Sequence, residues 1–397
     1  MNYPKLRIRN KEELRLERGH LWAFSNELLD LPKDLPAGSI VTLVREKNGQ
    51  PIGTGFYNSH SLIAVRLLSR NPSEAIDADF FARAIRQSAS RRKLLSERRN
   101  AYRLVHGESD GLPGLIIDRF NDVIAVQVLS AGFEAHKETI FDLLQREFSP
   151  AAIVEKNNSH LRKLEGLPLG ELLVFGTNAV TEIQDERGTR FAIDVLAGQK
   201  TGFYLDQMEN RTRLRDFVTK GDCVLDLFAN DGGFAMNAAL AGAASVVAVD
   251  ESAPALERLK RNADLNGVSH CFETISSDCF DYLRNARDQN SKAEFDLIVL
   301  DPPALAKSKK DILVARKSYV TLNRIAMSLL KPNGTLLTCS CSHHIDREHF
   351  LEIIREAAGR EGRTARILEE RGAGIDHPIL SAMPETAYLK CFIVSIG

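Results

Sequence analysis

Two cysteines stand one residue apart in "LLTCSCSHH", Leu336 to His344, directly after a run of apolar residues. Neither their spacing nor their neighbours suit a disulfide or a zinc knuckle, which leaves nucleophilic attack by Cys339 or Cys341 as the chemistry to weigh. A second group is found upstream in "FDLIVLDPPA", where Asp301 is followed by Pro302 and Pro303. The prolines remove backbone donors and stiffen the turn, so the carboxylate is held at the end of a strand. An Asp-Pro-Pro alone could be an ordinary strand-ending turn; in register with three other strand ends it reads as catalytic.

The elements that must hold these groups are "CVLDLFA", "SVVAVD", "FDLIVLD" and "GTLLTCSC", short and mostly β-branched runs. Helical stretches such as 234–240 and 253–266 separate the first three of them. Strands alternating with helices make parallel βαβ units, so the C-terminal part is read as a doubly wound α/β, Rossmann-like domain with helices on both faces. Ligands of such sheets sit beyond the carboxyl ends of the strands. The first strand runs into "VLDLFANDGGFA", with Asp226 at its end, then Phe228, Asn230 and the Gly232-Gly233 pair, where the backbone can turn tightly. Asp250 ends the second strand about twenty residues past the glycines, placed to accept from the hydroxyls of a ribose. Asp278, in "SSDCFDYL", follows a third strand, where it could accept from an adenine amino group. A dinucleotide would need G-x-G-x-x-G to seat its pyrophosphate on a helix N-terminus. This loop offers D-x-F-x-x-x-G-G instead, and the extra carboxylate suits the cationic sulfonium and amino group of S-adenosylmethionine.

The chain has 397 residues, 44% hydrophobic and 26% charged, which allows two or three cored domains. No apolar run reaches the roughly 18–20 residues of a membrane span. The charged start, "MNYPKLRIRNKEELRLERGH", does not read as a signal peptide, so a cytoplasmic protein is expected. Net charge is −1, yet "RLERGH" and "RRKLLSERR" are basic clusters; the second reads as a solvated helix face rather than an RNA-binding one. All six cysteines fall in the second half, without a CxxC pair. The cysteines and His343-His344 could be imagined as a metal site, but a bent strand end seldom presents four ligands tetrahedrally, so none is expected.

Earlier in the chain, "IVTLVRE" and "PIGTGFYN" flank Lys47-Asn48-Gly49 as a hairpin, followed by the strand "SLIAVRLLS". A helix is expected over 77–99. Then "GLIIDRF", "VIAVQVLS", a helix over 134–148, "AAIVEKN" and a hairpin turning at Glu186-Arg187-Gly188 make an α+β unit. The expected domains are a small β-rich one over residues 1–72, a central α+β one over 73–190, and the α/β one over 191–397.

Several stretches, in order, resemble one family: RlmI-like S-adenosylmethionine-dependent 23S rRNA methyltransferases that make 5-methylcytosine, a PUA domain joined to a class I methyltransferase. These are "GHLWAFSNEL", "GESDGLPGLIIDRF", "GQKTGFYLDQMENR", "LDPPALAKSK", "LLTCSCS", "DHP" and "YLKCF". Together they are specific, though each alone is weak. The resemblance implies an RNA-binding PUA-like domain at the start and 23S rRNA, or a precursor of the large subunit, as partner; relatives are often homodimers. It implies that Cys341 is the nucleophile and Cys339 strand packing; residues i and i+2 share a face in a strand, so only the family pattern separates the two. A thiolate adding to carbon 6 of cytosine makes carbon 5 nucleophilic, and a carboxylate, Asp301, steadies the adduct. No cysteine follows the prolines, so a single-cysteine mechanism is expected. Tyr204, Asp206 and Gln207, with Lys200, Thr201 and Phe203, lie on the family's linker-side motif and are implied cofactor contacts. The chain departs from the pattern at Gln199 (usually His), Met208 (usually Arg) and Asn230-Asp231 (usually Tyr-Thr). Two rivals are methylation of a guanine nitrogen, which needs no Cys341, and a non-catalytic RNA-binding assembly factor. A nicotinamide dehydrogenase is a distant third, because the loop lacks G-x-G-x-x-G; failure to bind NAD would dispose of it.

Overall fold

The structure is a computed structural model describing residues 3–288, 294–306 and 308–397; Met1, Asn2 and Lys307 of the quoted stretches lie outside the described residues. The chain forms two compact units. One contains Met1–Ile183, Ile193–Leu205 and Ile375–Thr386; the other Gln184–Ala192, Asp206–Gly374 and Ala387–Gly397.

The first unit contains two five-stranded sheets. In the N-terminal sheet the order is Lys5–Ile8, Ile40–Arg45, Pro51–Tyr57, Ile63–Ser69 and Trp22–Phe24. The expected hairpin forms, with Gly49 at φ +67° and Asn48 Oδ1 accepting from Gln50 N at 3.1 Å. Val41, Leu43, Val65 and Leu67 fill its core by the period of two that a strand imposes. The first strand and the short Trp22–Phe24 strand escape sequence reading because they carry too few alternating residues.

The second sheet runs Gly170–Phe175, Ala152–Asn157, Val123–Val128, Leu115–Phe120 and Ala101–His106. Helices Ala78–Arg91 and Lys137–Phe148 cover it with Phe81, Ile85, Ile140 and Leu144. The helix expected over 77–99 is shorter: it starts on Asp77, whose carboxylate accepts from Phe80 N at 3.0 Å, and ends at Arg91.

The basic stretch that follows is only partly solvated, contrary to the expectation. Arg92 is buried, with its guanidinium on both Asp110 oxygens at 2.7 Å and on Asp376 O at 2.9 Å. Arg99 is buried too and pairs with Asp376 at 2.9 Å. Two of the cluster's arginines are therefore interior counter-ions, a state that composition cannot reveal because their acids are distant in sequence. Asp376 also accepts from Arg103 N at 2.8 Å and contacts His377 Nδ1 at 2.9 Å. His377 packs on His106, ring centroids 5.0 Å apart, and burial first, then nearby Arg103, hold the His106 imidazole well below its usual range.

The second unit contains a seven-stranded sheet: β1 (Cys223–Leu227), β2 (Ser245–Asp250), β3 (Phe272–Ser276), β4 (Phe295–Leu300), β5 (Leu330–Ser340), β6 (Ala365–Arg371) and β7 (Lys390–Ile396). Their order is β3-β2-β1-β4-β5-β7-β6, parallel except for β7, which runs antiparallel to both neighbours. The helices are α1 (Met208–Leu214), α2 (Gly233–Leu240), α3 (Ala253–Leu265), α4 (Cys279–Asp288), α5 (Ile312–Leu329) and α6 (Arg347–Arg360). Leu225, Leu227, Ile298, Leu300 and Leu336 pack with α5 and α6 residues in one core, while Asp226, on the alternate face of β1, meets the start of α2. The doubly wound reading holds, and the antiparallel β6–β7 pair is the part that it lacked. Among the described residues no helix is long and apolar enough to cross a membrane.

The Asp376 cluster gives a test. Burial opposes its charge, but His377 and Arg99 hold the carboxyl below the usual range of about 3.9. A lowered carboxyl contributes stability above its unfolded pKa and loses it as pH falls below about 4. Asp376→Ala should cost about 3 kcal/mol or more in urea unfolding at pH 7, because it removes the acid that pairs with the buried Arg99. The difference from wild type should shrink toward pH 3.

Candidate active site

The carboxyl ends of β1, β4 and β5 lie side by side, because Asp226 pairs with Val299 and Leu300 with Thr338 in parallel register. Asp226 is buried, and its Oδ2 accepts from Ala235 N at 3.0 Å. Burial pushes its carboxyl up to about 8 against that hydrogen bond, and neighbouring Asp301 adds to the shift. After β1 the backbone turns through Phe228 (φ +63°), Asn230 (φ +48°) and Gly232 (φ +83°). Phe228 N donates to Cys279 Sγ at 3.2 Å and its ring meets Phe280 edge-on. Gly233 opens α2, where a Cβ would come within 2.3 Å of Arg211 Nε, so a side chain there would displace the guanidinium.

Asp250 closes this loop: Oδ2 accepts from Asn230 N at 2.9 Å and Oδ1 from Ser252 N at 2.8 Å. Asp278 is exposed, and its Oδ1 caps the start of α4, accepting from Phe280 N (2.8 Å) and Asp281 N (3.0 Å). Asp301 is half-buried, and its Oδ1 accepts from Gln207 Nε2 at 3.0 Å. Gln207 in turn is held by Asn210 at 2.7 Å, and Asp206 accepts from the Tyr388 hydroxyl at 2.7 Å. Of the expected cofactor residues, Tyr204, with Lys200, Thr201 and Phe203, belongs to the first unit; the Tyr204 hydroxyl donates to Gln199 at 2.6 Å and Lys200 Nζ lies 4.2 Å from its ring centroid.

The two cysteines part ways. Cys339 lies within β5 opposite Cys391 of β7, both fully buried, and burial followed by the facing thiol holds Cys339 well above its ordinary range. Cys341 falls just after Ser340, the last residue of β5, and is partly exposed, its Sγ 4.0 Å from Pro302 O. Ser340 Oγ donates to the Tyr319 hydroxyl at 3.1 Å, and Ser342 Oγ lies 3.1 Å from the same oxygen. Ser342 Oγ also accepts from Ala306 N at 3.2 Å, tying the end of β5 to the loop after Pro302 and Pro303.

Sequence reading assigned nothing to Tyr319, which has no motif around it, and overlooked the serines, although they flank Cys341 in the quoted stretch. It also passed over Arg211, which closes "GQKTGFYLDQMENR". That guanidinium is fully buried; burial lowers its pKa, while Asp301, Asp206, Asp226 and Asp231 oppose the shift. Met208, in the place of the family's usual arginine, is itself buried.

Residues 6–70 match the PUA-like domain family, and residues 171–378 match the S-adenosylmethionine-dependent methyltransferase family. The chain is 41% identical over 396 residues to the ribosomal RNA large subunit methyltransferase I of Shewanella amazonensis, covering 99% of both. It is 37% identical over 395 residues to that of Klebsiella pneumoniae, covering 98% of both. Among solved structures, SMU.776, described as a methyltransferase and complexed with SAH, superposes with a TM-score of 0.85 over 99% of this chain and all of its own; at 21% identity this likeness concerns the fold alone.

The residues at the strand ends fit S-adenosylmethionine. Among the described residues, Asn230 Oδ1 is a buried acceptor without a hydrogen-bond partner, and the surrounding carboxylates suit a cationic ligand. The raised Asp226 carboxyl is testable in the unliganded protein. A carboxyl whose folded pKa is raised takes up a proton on folding, so stability falls as pH rises from about 4 through 8 and then levels. Asp226→Asn should therefore gain about 2–3 kcal/mol relative to wild type between pH 6 and 9 in urea unfolding. A constant difference would mean that the carboxyl is ionised throughout.

Proposed function

This chain belongs to the large-subunit ribosomal RNA methyltransferase I family, and on that premise we propose that it methylates carbon 5 of a cytosine in 23S rRNA through a Cys341 adduct at carbon 6. The observation that carries this reading is the difference between the two cysteines. Cys341 is open beside the Asp301-Pro302 turn, whereas Cys339 is sealed against Cys391.

S-adenosylmethionine is the cofactor, and its sulfonium supplies the methyl group as an electrophile. Asp226, Phe228, Asn230, Gly232, Gly233 and Pro302 would enclose it, Asp250 would take the ribose hydroxyls and Asp278 the adenine amino group. Asp206 and Gln207 would contact its methionine end or adenosine in this reading. The target cytosine must leave its stack to reach the strand ends.

The Cys341 thiolate adds to carbon 6 and the new C–S bond makes carbon 5 enamine-like, able to take the methyl group. Asp301 accepts from the exocyclic amine and governs protonation at N3. A base then removes the carbon 5 proton, the C–S bond breaks, and its electron pair returns to sulfur. Elimination needs no second cysteine, and Asp-Pro-Pro-Ala offers none. In the proposed division of labour, residues 1–72 and 73–190 grip folded rRNA through shape and phosphates, and residues 191–397 do the chemistry in the cytoplasm.

The test is nucleoside mass spectrometry of 23S rRNA incubated with the protein and S-adenosylmethionine. Wild type should yield 5-methylcytosine, Cys341→Ala should lose it by about a thousandfold or more, and Cys339→Ala should stay within about tenfold. A methylated guanine instead would replace the thiolate chemistry with methylation of a base nitrogen. No product from any RNA would point to a binding protein.

A further inference from the structure

Lys390 opens β7 directly opposite Ser340, the residue before Cys341, and is only 8% exposed on a strand that is otherwise almost wholly buried and apolar. A buried ammonium is costly without a counter-charge. Its Nζ donates to Ser342 O and to Tyr388 O, both at 2.7 Å, and both acceptors are neutral. These bonds pin the ammonium against the residue that follows Cys341, so the backbone on either side of that thiol, at Ser340 and at Ser342, is tied to Lys390.

We propose that Lys390 is a positioning residue for Cys341: its ammonium, fixed by two carbonyls, is the counter-charge that keeps the thiol ionised before a base arrives. The inference rests on the reading of Cys341 as nucleophile. In the resting protein the thiol proton passes to solvent and the ammonium stays protonated. When the C–S bond breaks at the end of the cycle, the electron pair returns to a sulfur that again faces a positive charge.

The other charged and titratable groups around the pair do not supply that charge. Tyr319, from α5, is neutral, its hydroxyl pushed up to about 12 mainly by burial. Asp301, at the end of β4, and Asp346, ahead of α6, are acids that oppose a thiolate. His343 and His344 follow Cys341 on its own segment, and burial first, then Lys390 and His344, lowers the His343 imidazole. Conversely, burial lowers the Lys390 ammonium to about 8, and the charges that sustain it are Cys341 first and Asp346 second.

The experiment is the pH dependence of iodoacetamide alkylation of Cys341, resolved by peptide mass spectrometry on the full chain, for wild type, Lys390→Met and Lys390→Arg. Wild type should react with an inflection below the free-thiol value of about 8.5. Lys390→Met should move it up by about one unit or more, slowing alkylation near pH 7 roughly tenfold, and Lys390→Arg should restore it. Cys223 and Cys271, both partly exposed, serve as internal references that should not move. A Lys390→Met variant that keeps the wild-type circular dichroism and the same inflection overturns the proposal. If Lys390→Met does not fold, Lys390→Arg decides alone: its inflection should match wild type, and one near 8.5 overturns the proposal. Nucleophilicity is judged separately, by the loss of 5-methylcytosine in Cys341→Ala, so either reading can fail while the other stands.

Discussion

Parallel pairing fixes how far each strand runs before it must turn, and in the second unit this decides which side chains meet. Leu300, the last residue of β4, stands opposite Thr338, so β4 ends one residue short of Cys339 and three short of Cys341. Cys339 is therefore still within the ladder, matched to Cys391, while Cys341 lies where the backbone has left it. Tyr319 keeps that departure in place by holding Ser340 and Ser342, and Ser342 in turn holds Ala306. A nucleophile candidate and a carboxylate from strands separated by a whole helix are thus kept at one edge by hydrogen bonds that neither of them makes.

The charge at that edge is unbalanced in a useful way. Asp206, Asp226, Asp231 and Asp301 all act on the one buried guanidinium of Arg211. Burial first, with Asp301 and Asp250 adding to it, raises the Asp226 carboxyl to about 8. A cationic ligand would repay part of the cost of assembling these acids, whereas a pyrophosphate would add to it. The preference argued from the loop D-x-F-x-x-x-G-G is the same electrostatic argument on a smaller set of atoms.

Much of this was legible in sequence because it rests on local rules. The β-branched runs of the α/β unit, the glycine turn and the acids at strand ends follow from periodicity and backbone freedom, and the hairpin at Lys47-Asn48-Gly49 from turn chemistry. The hidden parts are those in which the partner is remote. Nothing near "RRKLLSERR" announces that Arg92 and Arg99 are neutralised by Asp110 and Asp376. The β6–β7 pair was missed because the chain reads as an alternating βα pattern until it stops. Spacing could not divide Cys339 from Cys341, since a two-residue step keeps a face in a strand. The division comes from where β5 ends, which depends on neighbouring strands.

The route of the chain between its two units has a consequence for how such a protein can be cut or recombined. It crosses from one to the other five times, at 183/184, 192/193, 205/206, 374/375 and 386/387. Asp376, the counter-ion of Arg99 and acceptor for Arg103 N, is 273 positions from Arg103. No single break separates the units: a fragment ending before residue 375 retains Arg99 and loses Asp376, the acid it pairs with. Each unit is therefore finished only when the other's stretch of chain has been made. A cut that removes 375–386 would take from the first unit the acid that faces its buried Arg99, so that unit needs chain from both ends of the sequence.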